Sequence, residues 1–146
     1  MATVSRILAG KGARVHTIDV AASVLDAARR MNEQRIGGLV VTGPDGQVVG
    51  IVTERDVLRR LVAQRRDPGE TPVGEIMTRD VICCQPQTPV DEARQLFMQK
   101  RIRHLPVLDE QGGLAGLISI GDINAHDLDG QQLEIRYLHE YIHGRV

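Results

Sequence analysis

One short pattern occurs twice in this chain and constrains its fold more than any other feature. Residues 50–56 read Gly-Ile-Val-Thr-Glu-Arg-Asp, and residues 116–122, which lie 66 positions later, read Gly-Leu-Ile-Ser-Ile-Gly-Asp. The same shift aligns the whole of Val15–Asp56 with Val81–Asp122 without a gap. Internal repetition at one fixed period indicates two copies of a single supersecondary unit.

Each copy of the pattern predicts a buried strand that runs directly into a helix. Two apolar residues are followed by a hydroxyl residue, Thr53 or Ser119, and three positions later by an aspartate, Asp56 or Asp122. Hydroxyl-x-x-carboxylate is typical of a helix N-cap and its N3 partner. Such a junction offers unpaired backbone N–H groups and the positive end of a helix dipole, where phosphorylated ligands bind. A capping box needs the same residues for structure alone, so both interpretations stay open.

The first half of each copy predicts a short strand and an amphipathic helix. In the first copy Val15–Ile18 forms the strand, and Ser23 caps a helix that ends near Gly37-Gly38. Apolar residues recur in this helix at the spacing i, i+3, i+4, i+7, which predicts one buried face. These positions are Val24, Ala27, Ala28 and Met31.

The second half of each copy predicts a hairpin followed by another helix. Leu39–Val41 and Val48–Val52 are apolar, mainly β-branched runs on either side of a Gly-Pro-Asp-Gly turn. The helix that begins after Thr53 is expected to bury four apolar side chains. They are Val57, Leu58, Leu61 and Val62. The unit is therefore β-α-β-β-α.

The second copy repeats this order after a linker at Arg65–Pro72. Thr88 is predicted to cap its first helix, with Pro89 as the first helical residue. Leu105–Leu108 and Leu114–Ile118 form its hairpin. The predicted domains are repeat 1 at residues 4–64, repeat 2 at residues 73–128, and a C-terminal helical tail at residues 129–146.

The repetition also extends upstream, where Val4–Leu8 resembles Val73–Met77 at a shift of 69 residues. Repeat 1 therefore carries three extra residues, 10–12, before its first strand. A unit of roughly fifty residues buries too little surface to fold alone. We expect an α/β (α+β) fold in which two units pack face to face around a pseudo-twofold axis, with two equivalent clefts at the strand-to-helix junctions.

Composition excludes several classes of protein. The 146 residues carry 18 basic and 19 acidic side chains, a balance that argues against general binding to nucleic acid or membranes. No apolar run approaches the ~20 residues of a membrane span, and the N-terminus lacks the apolar core of a signal peptide. The adjacent Cys83 and Cys84 fit a reducing compartment best. A cytoplasmic protein is expected.

The two repeats resemble a tandem pair of CBS domains of the small, stand-alone bacterial kind. The resemblance covers about residues 4–128. It rests on three motifs together: Gly-apolar-apolar-Thr/Ser-x-x-Asp at the end of each repeat, Val-x-x-Ile-Leu/Met at its start, and the run Arg-Ile-Arg-His-Leu-Pro-Val at 101–107. The resemblance implies a regulatory module that binds adenine-containing ligands (AMP, ADP, ATP, NAD(H) or S-adenosylmethionine) in paired clefts and usually forms a disc-shaped dimer.

The resemblance also implies roles for individual residues. Asp56 and Asp122 would each accept hydrogen bonds from both hydroxyls of a ribose, and Thr53 and Ser119 would bond ribose or phosphate oxygens. Each cleft would be completed by the start of the other repeat, so that adenine lies among apolar side chains. The full set of expected ligand-binding residues is Leu8, Lys11, His16, Ile36, Gly37, Gly38, Thr53, Asp56, Met77, Val81, Ile82, Arg103, His104, Pro106, Ser119, Gly121 and Asp122.

The two clefts depart from each other in sequence. Repeat 2 has the basic pair Arg103-His104 before its Leu-Pro-Val strand, whereas repeat 1 has Gly37-Gly38 in that place. These glycines either give a ligand room to approach the backbone or end the preceding helix. Lys11, in the three-residue insertion, is either a phosphate contact or a solvated loop residue.

Three further patterns could indicate a functional site, but a structural role is the preferred interpretation of each. His139–His143 matches the zinc-hydrolase pattern H-E-x-x-H, but no ligand follows it to complete a zinc site. An amphipathic tail helix that packs on this subunit or its partner is the preferred interpretation. Cys83-Cys84 replaces two strand residues of repeat 1 and is expected to pack in the core, with a redox switch as the alternative. The arginines expected to form a solvated helix face, or else a weak contact with nucleic acid or a partner, are Arg59, Arg60, Arg65 and Arg66.

The sequence therefore predicts a non-catalytic sensor of adenine nucleotides with no obligatory cofactor or metal. Ligand bound between the repeats would shift the packing of the pair or of its homodimer, and a protein effector would respond to that change. The alternative is a constitutive dimeric scaffold that binds no nucleotide, in which both aspartates serve only as capping residues.

Overall fold

Two small sheets and the helices around them make up the part of the chain that the computed structural model describes, residues 1–12 and 14–130. Repeat 1 contains α1 (Val4–Lys11), β1 (Thr17–Asp19), α2 (Val24–Gln34), β2 (Gly38–Thr42), β3 (Val48–Thr53) and α3 (Glu54–Asp56), which continues as a π-helix (Val57–Val62). Repeat 2 contains a 3₁₀ turn (Val73–Glu75), α4 (Val90–Lys100), β4 (His104–Leu108), β5 (Leu114–Ser119) and a last helix, α5, that begins at residue 120 and includes the described residues up to 130.

The sheet of repeat 1 has three strands, with β1 parallel to β2 and β2 antiparallel to β3. In repeat 2 only β4 and β5 form a ladder, because the predicted first strand is reduced to one bridge between Cys84 and Val107. The amide of Val81 bonds back to the carbonyl of Arg79, so the backbone turns there and does not extend along β4. The expectation of a full strand at 81–84 was wrong, although Cys84 is buried in the core as expected.

Each repeat contributes its first segment to the core of the other. Helix α1 packs its apolar face into the core formed by α4, β4 and β5. The 3₁₀ turn and the residues after it pack into the core formed by β1, α2, β2 and β3. The exchanged side chains are Val4, Ile7 and Leu8 in one direction and Val73, Ile76 and Met77 in the other. This exchange explains why the two small units form one pair, as predicted.

Two equivalent glycines admit the exchanged segments. A Cβ atom on Gly116 would lie 2.6 Å from Cδ2 of Leu8, and one on Gly50 would lie 2.6 Å from Sδ of Met77. Each glycine is the first residue of the repeated pattern. Leu8 and Met77 are each the last residue of the Val-x-x-Ile-Leu/Met motif at the start of their repeat. The two contacts are therefore related by the pseudo-twofold symmetry of the chain.

The first helices of the two repeats begin differently. Ser23 caps α2 as predicted, since its Oγ accepts a hydrogen bond from the Asp26 amide at 3.1 Å. The prediction that Thr88 caps α4 was wrong, because Pro89 is extended (φ −60°, ψ 143°) and the helix begins at Val90. Pro89 is the N-cap residue and pairs with Thr3 across an isolated bridge, as the equivalent Ser23 does with Pro72, but it has no side-chain oxygen that could accept a bond from the helix.

The end of α2 does not use the glycines that follow it. Arg35 adopts the left-handed conformation at φ 55°, and Arg101 does the same at φ 54° after α4. Gly38 already belongs to β2. The helix-cap interpretation of Gly37-Gly38 was therefore wrong, because the chain reverses direction at the preceding arginine.

The helix after Thr53 buries fewer apolar residues than predicted. Leu61 lies in the core, but Leu58 and Val62 are 62% and 60% exposed. Residues 57–62 form a π-helix, in which the amide of Ala63 bonds the carbonyl of Leu58 five residues earlier. The wider turn alters the helical periodicity on which the prediction relied, and it leaves an apolar pair on the outer face.

None of the helices in residues 1–12 and 14–130 is long and apolar enough to cross a membrane. The predicted tail helix and the His139–His143 motif lie outside the described residues.

Candidate functional site

A cleft of about 220 Å³ opens where β3 meets α3, and both repeats form its walls. Repeat 1 contributes the strand-to-helix junction, and repeat 2 contributes the segment after its 3₁₀ turn and the segment before β4. We call it the Asp56 cleft. The lining residues are Gly37, Ile51, residues 53–56, Thr78, residues 80–82 and residues 101–104.

Asp56 joins the two repeats at the floor of this cleft. Its Oδ2 accepts hydrogen bonds from the amide and hydroxyl of Thr53 at 3.0 and 3.2 Å, which completes the predicted capping box. Its Oδ1 accepts a hydrogen bond from Oγ1 of Thr78 at 3.1 Å, and Nε of Arg60 lies 3.9 Å away. The carboxylate is buried and therefore rigidly oriented, with one oxygen toward its own helix and the other toward repeat 2.

Charged side chains of both signs surround the Asp56 cleft. Arg101 and Arg103 are exposed at its repeat 2 side, where each can move onto an anionic group without breaking a described ion pair. Glu54 and Asp80 supply negative charge on the remaining walls. The arrangement suits a ligand that has one anionic end and a polar, uncharged body.

His104 lines the Asp56 cleft and packs against Gly38 of the other repeat. A Cβ atom on Gly38 would lie 3.1 Å from both Cδ2 and Nε2 of His104, so the imidazole fills the space that this glycine leaves. Burial lowers the pKa of His104, and the nearby Lys11 lowers it further, against the opposing effect of Glu54. The imidazole is therefore neutral at pH 7, and its Nδ1 is buried without a hydrogen-bond partner.

Gly37 is close to a side chain of the protein in the same way. A Cβ atom there would lie 2.6 Å from Oε1 of Glu54. In this structure the space beside Gly37 and Gly38 is therefore taken by Glu54 and His104. The hypothesis that the glycines make room for a ligand stays a prediction.

The second junction, from β5 to α5, repeats the capping geometry. The amide of Ser119 donates to Oδ2 of Asp122 at 2.8 Å, and the amide of Asp122 donates to Oγ of Ser119 at 3.2 Å. Lys11 reaches this junction from α1, and its Nζ donates to Oδ2 of Asp122 at 2.7 Å and to the carbonyl of Leu117 at 2.9 Å. Lys11 is therefore an ion-pair partner of Asp122, which the sequence did not suggest.

The remaining predicted residues do not gather into one site. Leu8 and Met77 lie in the two cores, and Pro106 is buried in β4. The other three are His16 and Ile36, which are half-buried, and Gly121, which is exposed in the first turn of α5. The structure brings together at the Asp56 cleft only Gly37, Thr53, Asp56, Val81, Ile82, Arg103 and His104.

Several residues of the Asp56 cleft were not predicted. Thr78 directly follows the Val-x-x-Ile-Met motif, a segment that was expected to complete the cleft. Its position in the sequence therefore indicated that it could line the cleft. Arg101 aligns with Arg35 in the internal repeat. The same residue type in both copies is a signal that could have pointed to Arg101. The full set of residues missed is Ile51, Glu54, Arg55, Thr78, Asp80, Arg101 and Ile102.

Among residues 1–12 and 14–130, no group of three or more His, Cys, Asp or Glu side chains has the arrangement of a metal site. Burial raises the pKa of the Cys84 thiol to about 12, with smaller contributions from Cys83 and Glu92. A thiol with this pKa carries almost no reactive thiolate at pH 7, which favours the core-packing interpretation of Cys84.

Comparison with known proteins agrees with the repeat structure. The chain is 40% identical over 126 residues to the CBS domain-containing protein CBSX3, mitochondrial, from Arabidopsis thaliana, and the match covers 84% of this chain and 61% of that relative. The chain thus spans less than two thirds of the length of that protein.

Solved structures with the same fold include two that match over nearly their whole length. A protein with CBS domains from Burkholderia ambifaria is 41% identical, with a TM-score of 0.84 over 89% of this chain and 96% of its own. A CBS domain protein from Pyrobaculum aerophilum, solved in complex with AMP, is 30% identical, with a TM-score of 0.75 over 83% of this chain and 89% of its own. The family model for the CBS domain matches residues 12–63 and 73–128. The chain therefore belongs to the CBS-domain family and carries a tandem pair of its repeats.

Proposed function

We propose that this protein is a non-catalytic sensor that binds an adenine nucleotide, AMP in the first instance, in the Asp56 cleft. The observation that carries the proposal is a buried, oriented carboxylate in a cleft that both repeats build. The structure of the similar Pyrobaculum aerophilum protein in complex with AMP supports the choice of ligand.

The residues of the cleft suit the parts of such a ligand. The carboxylate of Asp56 can accept hydrogen bonds from vicinal ribose hydroxyls. These bonds are stronger than those to a neutral acceptor. Val81 and Ile82 offer apolar surface to the base. Arg101 and Arg103 supply the positive charge that a phosphate needs. ADP, ATP, NAD(H) and S-adenosylmethionine present the same base and ribose, so they are the next ligands to consider.

Ligand binding would act on the packing of the two repeats. A molecule in the Asp56 cleft touches both walls at once, and it therefore stabilises one relative position of the repeats over others. A protein effector that recognises that position would sense occupancy without any chemical reaction. The exposed Leu58 and Val62 offer the apolar surface on which a second copy of the chain would form a homodimer.

The second candidate is a scaffold that binds no nucleotide, and one observation favours it. Asp56 already accepts three hydrogen bonds from Thr53 and Thr78, so a structural role alone accounts for the burial and orientation of its carboxylate. The two candidates differ in whether any ligand stabilises the protein.

Thermal melting and titration calorimetry distinguish the candidates. A ligand that binds only the native state stabilises it by mass action, about 2.7 kcal/mol at a hundred times its Kd. We expect AMP to raise the melting temperature and to give heat on titration, and we expect Asp56→Asn to reduce both effects. If AMP, ADP, ATP, NAD, NADH and S-adenosylmethionine all fail to shift melting or to give heat, the scaffold is the correct function.

A further inference from the structure

In the Asp56 cleft one residue, Thr78, bonds β3 with its backbone and Asp56 with its side chain. The amide of Ile51 donates to the carbonyl of Thr78 at 3.0 Å, and the amide of Thr78 donates to the carbonyl of Ile51 at 2.8 Å. Oγ1 of Thr78 also donates to Oδ1 of Asp56 at 3.1 Å. One short, uncharged residue thus bonds both the strand and the aspartate, and an open cleft remains beside it.

At the junction from β5 to α5, the position equivalent to the Asp56 cleft and called the second cleft below, the ammonium group of Lys11 bonds the equivalent strand carbonyl and the equivalent aspartate, at the carboxylate oxygen that also caps the helix. Leu117 and Asp122 occupy the repeat positions of Ile51 and Asp56. Nζ of Lys11 donates to the carbonyl of Leu117 at 2.9 Å and to Oδ2 of Asp122 at 2.7 Å. The two clefts therefore differ in the residue that bonds the strand and the aspartate. It is a threonine in the Asp56 cleft and a long cationic side chain in the second cleft.

The three-residue insertion of repeat 1 accounts for this difference. It lengthens α1 to eight residues, so that Lys11 lies in the last turn, and Gly12 ends the helix at φ 92°. The matching segment of repeat 2 is the 3₁₀ turn Val73–Glu75, which is three residues long. Only repeat 1 can therefore project a side chain from this helix into the cleft of its neighbour.

We propose that Lys11 is an internal occupant of the second cleft and that it restricts the pair to one adenine nucleotide per chain, bound at Asp56. This proposal rests on the proposed function. A ribose that bonds both carboxylate oxygens of Asp122 would have to displace Lys11 from Oδ2, and it would exchange an ion pair at 2.7 Å for hydrogen bonds to hydroxyls. At Asp56 a ribose would displace the neutral hydroxyl of Thr78 from Oδ1, and the nearest cation among the residues that the structure describes, Arg60, is 3.9 Å away.

Lys11 can be replaced without loss of the fold. Its side chain is 37% exposed, and exposed ion pairs contribute little to stability. Asp122 keeps its capping bonds with Ser119 when the lysine is removed. Lys100, the other lysine of the chain, is exposed at the end of α4 and provides a matched control.

Titration calorimetry with AMP tests the proposal on the full chain. We expect one AMP per chain for the wild type and for Lys100→Ala at ligand concentrations up to about ten times the first Kd, and two per chain for Lys11→Ala. Lys11→Arg keeps the cation and should stay at one. Adding Asp122→Asn to Lys11→Ala should return the ratio to one. Circular dichroism melting of each apo variant verifies that it is folded.

The contrary outcomes separate the two proposals. Two equal sites in the wild type, or one site in Lys11→Ala with unchanged affinity, would overturn the role of Lys11. One weaker site in Lys11→Ala would overturn it as well and would make Lys11 a phosphate contact. No binding to the wild type but one AMP bound by Lys11→Ala would support the internal occupant and overturn the assignment of the Asp56 cleft. No binding to either protein would overturn both proposals.

Discussion

The imidazole of His104 packs against Gly38, the residue that occupies the position of His104 in the other repeat. Two positions related by the pseudo-twofold symmetry meet only near its axis, where a large side chain from each repeat would collide. These two positions must therefore differ, with a large side chain at His104 and none at Gly38. This asymmetry places His104 between the two clefts.

Gly38→Ala should destabilise the protein by about 1–3 kcal/mol, because the new methyl group would lie 3.1 Å from two atoms of the His104 ring. His104→Ala removes the ring, so the double variant should be more stable than the sum of the single effects predicts. Urea unfolding of the four proteins measures this coupling. Gly10→Ala is the control, since no atom lies within 4 Å of its added Cβ. Additive effects of Gly38→Ala and His104→Ala would contradict the contact.

Stability should fall as the pH drops below the ordinary His pKa of 6.5, because burial lowers the pKa of His104 in the folded protein. The unfolded chain then takes up the proton before the folded one does, which favours unfolding. Stability is complete above that pH and decreases below it, until His104 becomes protonated in the folded state. Urea unfolding between about pH 7.5 and 5.5 should show a smaller slope for His104→Gln than for the wild type. An imidazole pKa above 6.5, measured by NMR titration, would refute this account.

Gly116→Ala should destabilise the protein less than Gly50→Ala. The atoms nearest to a methyl group on Gly116 belong to the flexible side chain of Leu8, whereas a methyl group on Gly50 would lie 2.7 Å from the backbone carbonyl of Thr78. A side chain can move by a rotamer change, but that carbonyl is fixed by its bond to Ile51. We expect about 1–3 kcal/mol for Gly116→Ala and a larger loss for Gly50→Ala, measured by urea unfolding.

The variant Leu8→Ala tests the Gly116 prediction further. Combined with Gly116→Ala, it should cost less than the sum of the two single changes, because the smaller side chain leaves room for the methyl group. Equal losses for Gly50→Ala and Gly116→Ala would indicate that the two sites accommodate a methyl group equally well.

Arg103→Ala should weaken the binding of AMP by about tenfold while leaving adenosine little affected, because a charge-assisted contact with the phosphate is lost. His104→Ala should not show this selectivity, since the histidine is neutral and lies against Gly38. Calorimetric titrations with both ligands separate the two roles. Arg29→Ala, an exposed change outside the cleft, is the control. Equal losses for AMP and adenosine in Arg103→Ala would remove Arg103 from the phosphate site.

Leu58→Glu should convert the expected homodimer into a monomer, because it places a charge on the apolar outer face of the π-helix. The fold should persist, since Leu58 is 62% exposed. Light scattering at tens of micromolar measures the mass of both proteins. A monomeric wild type would contradict the prediction of a dimer, and a dimeric variant would place the interface elsewhere.

Local patterns determined the fold of this protein. The β-α-β-β-α order of each unit, the cap at Ser23 and the capping box of Thr53 and Asp56 all depend on residues within a few positions of one another, and the repetition after 66 positions shows that the same local patterns occur twice. Apolar periodicity and hydroxyl-x-x-carboxylate spacing express such short-range constraints directly. The prediction of a buried Leu58 failed because the π-helix altered that periodicity.

The tertiary structure alone decided how the two clefts differ. Lys11 and Asp122 are 111 positions apart, and their ion pair exists only because α1 packs on the core of the other repeat. The contact of His104 with Gly38 and the bond of Thr78 to Asp56 likewise depend on how the repeats are placed around the axis. Sequence repetition predicts that two sites are equivalent, whereas the packing of unlike residues near a symmetry axis decides how each one is filled.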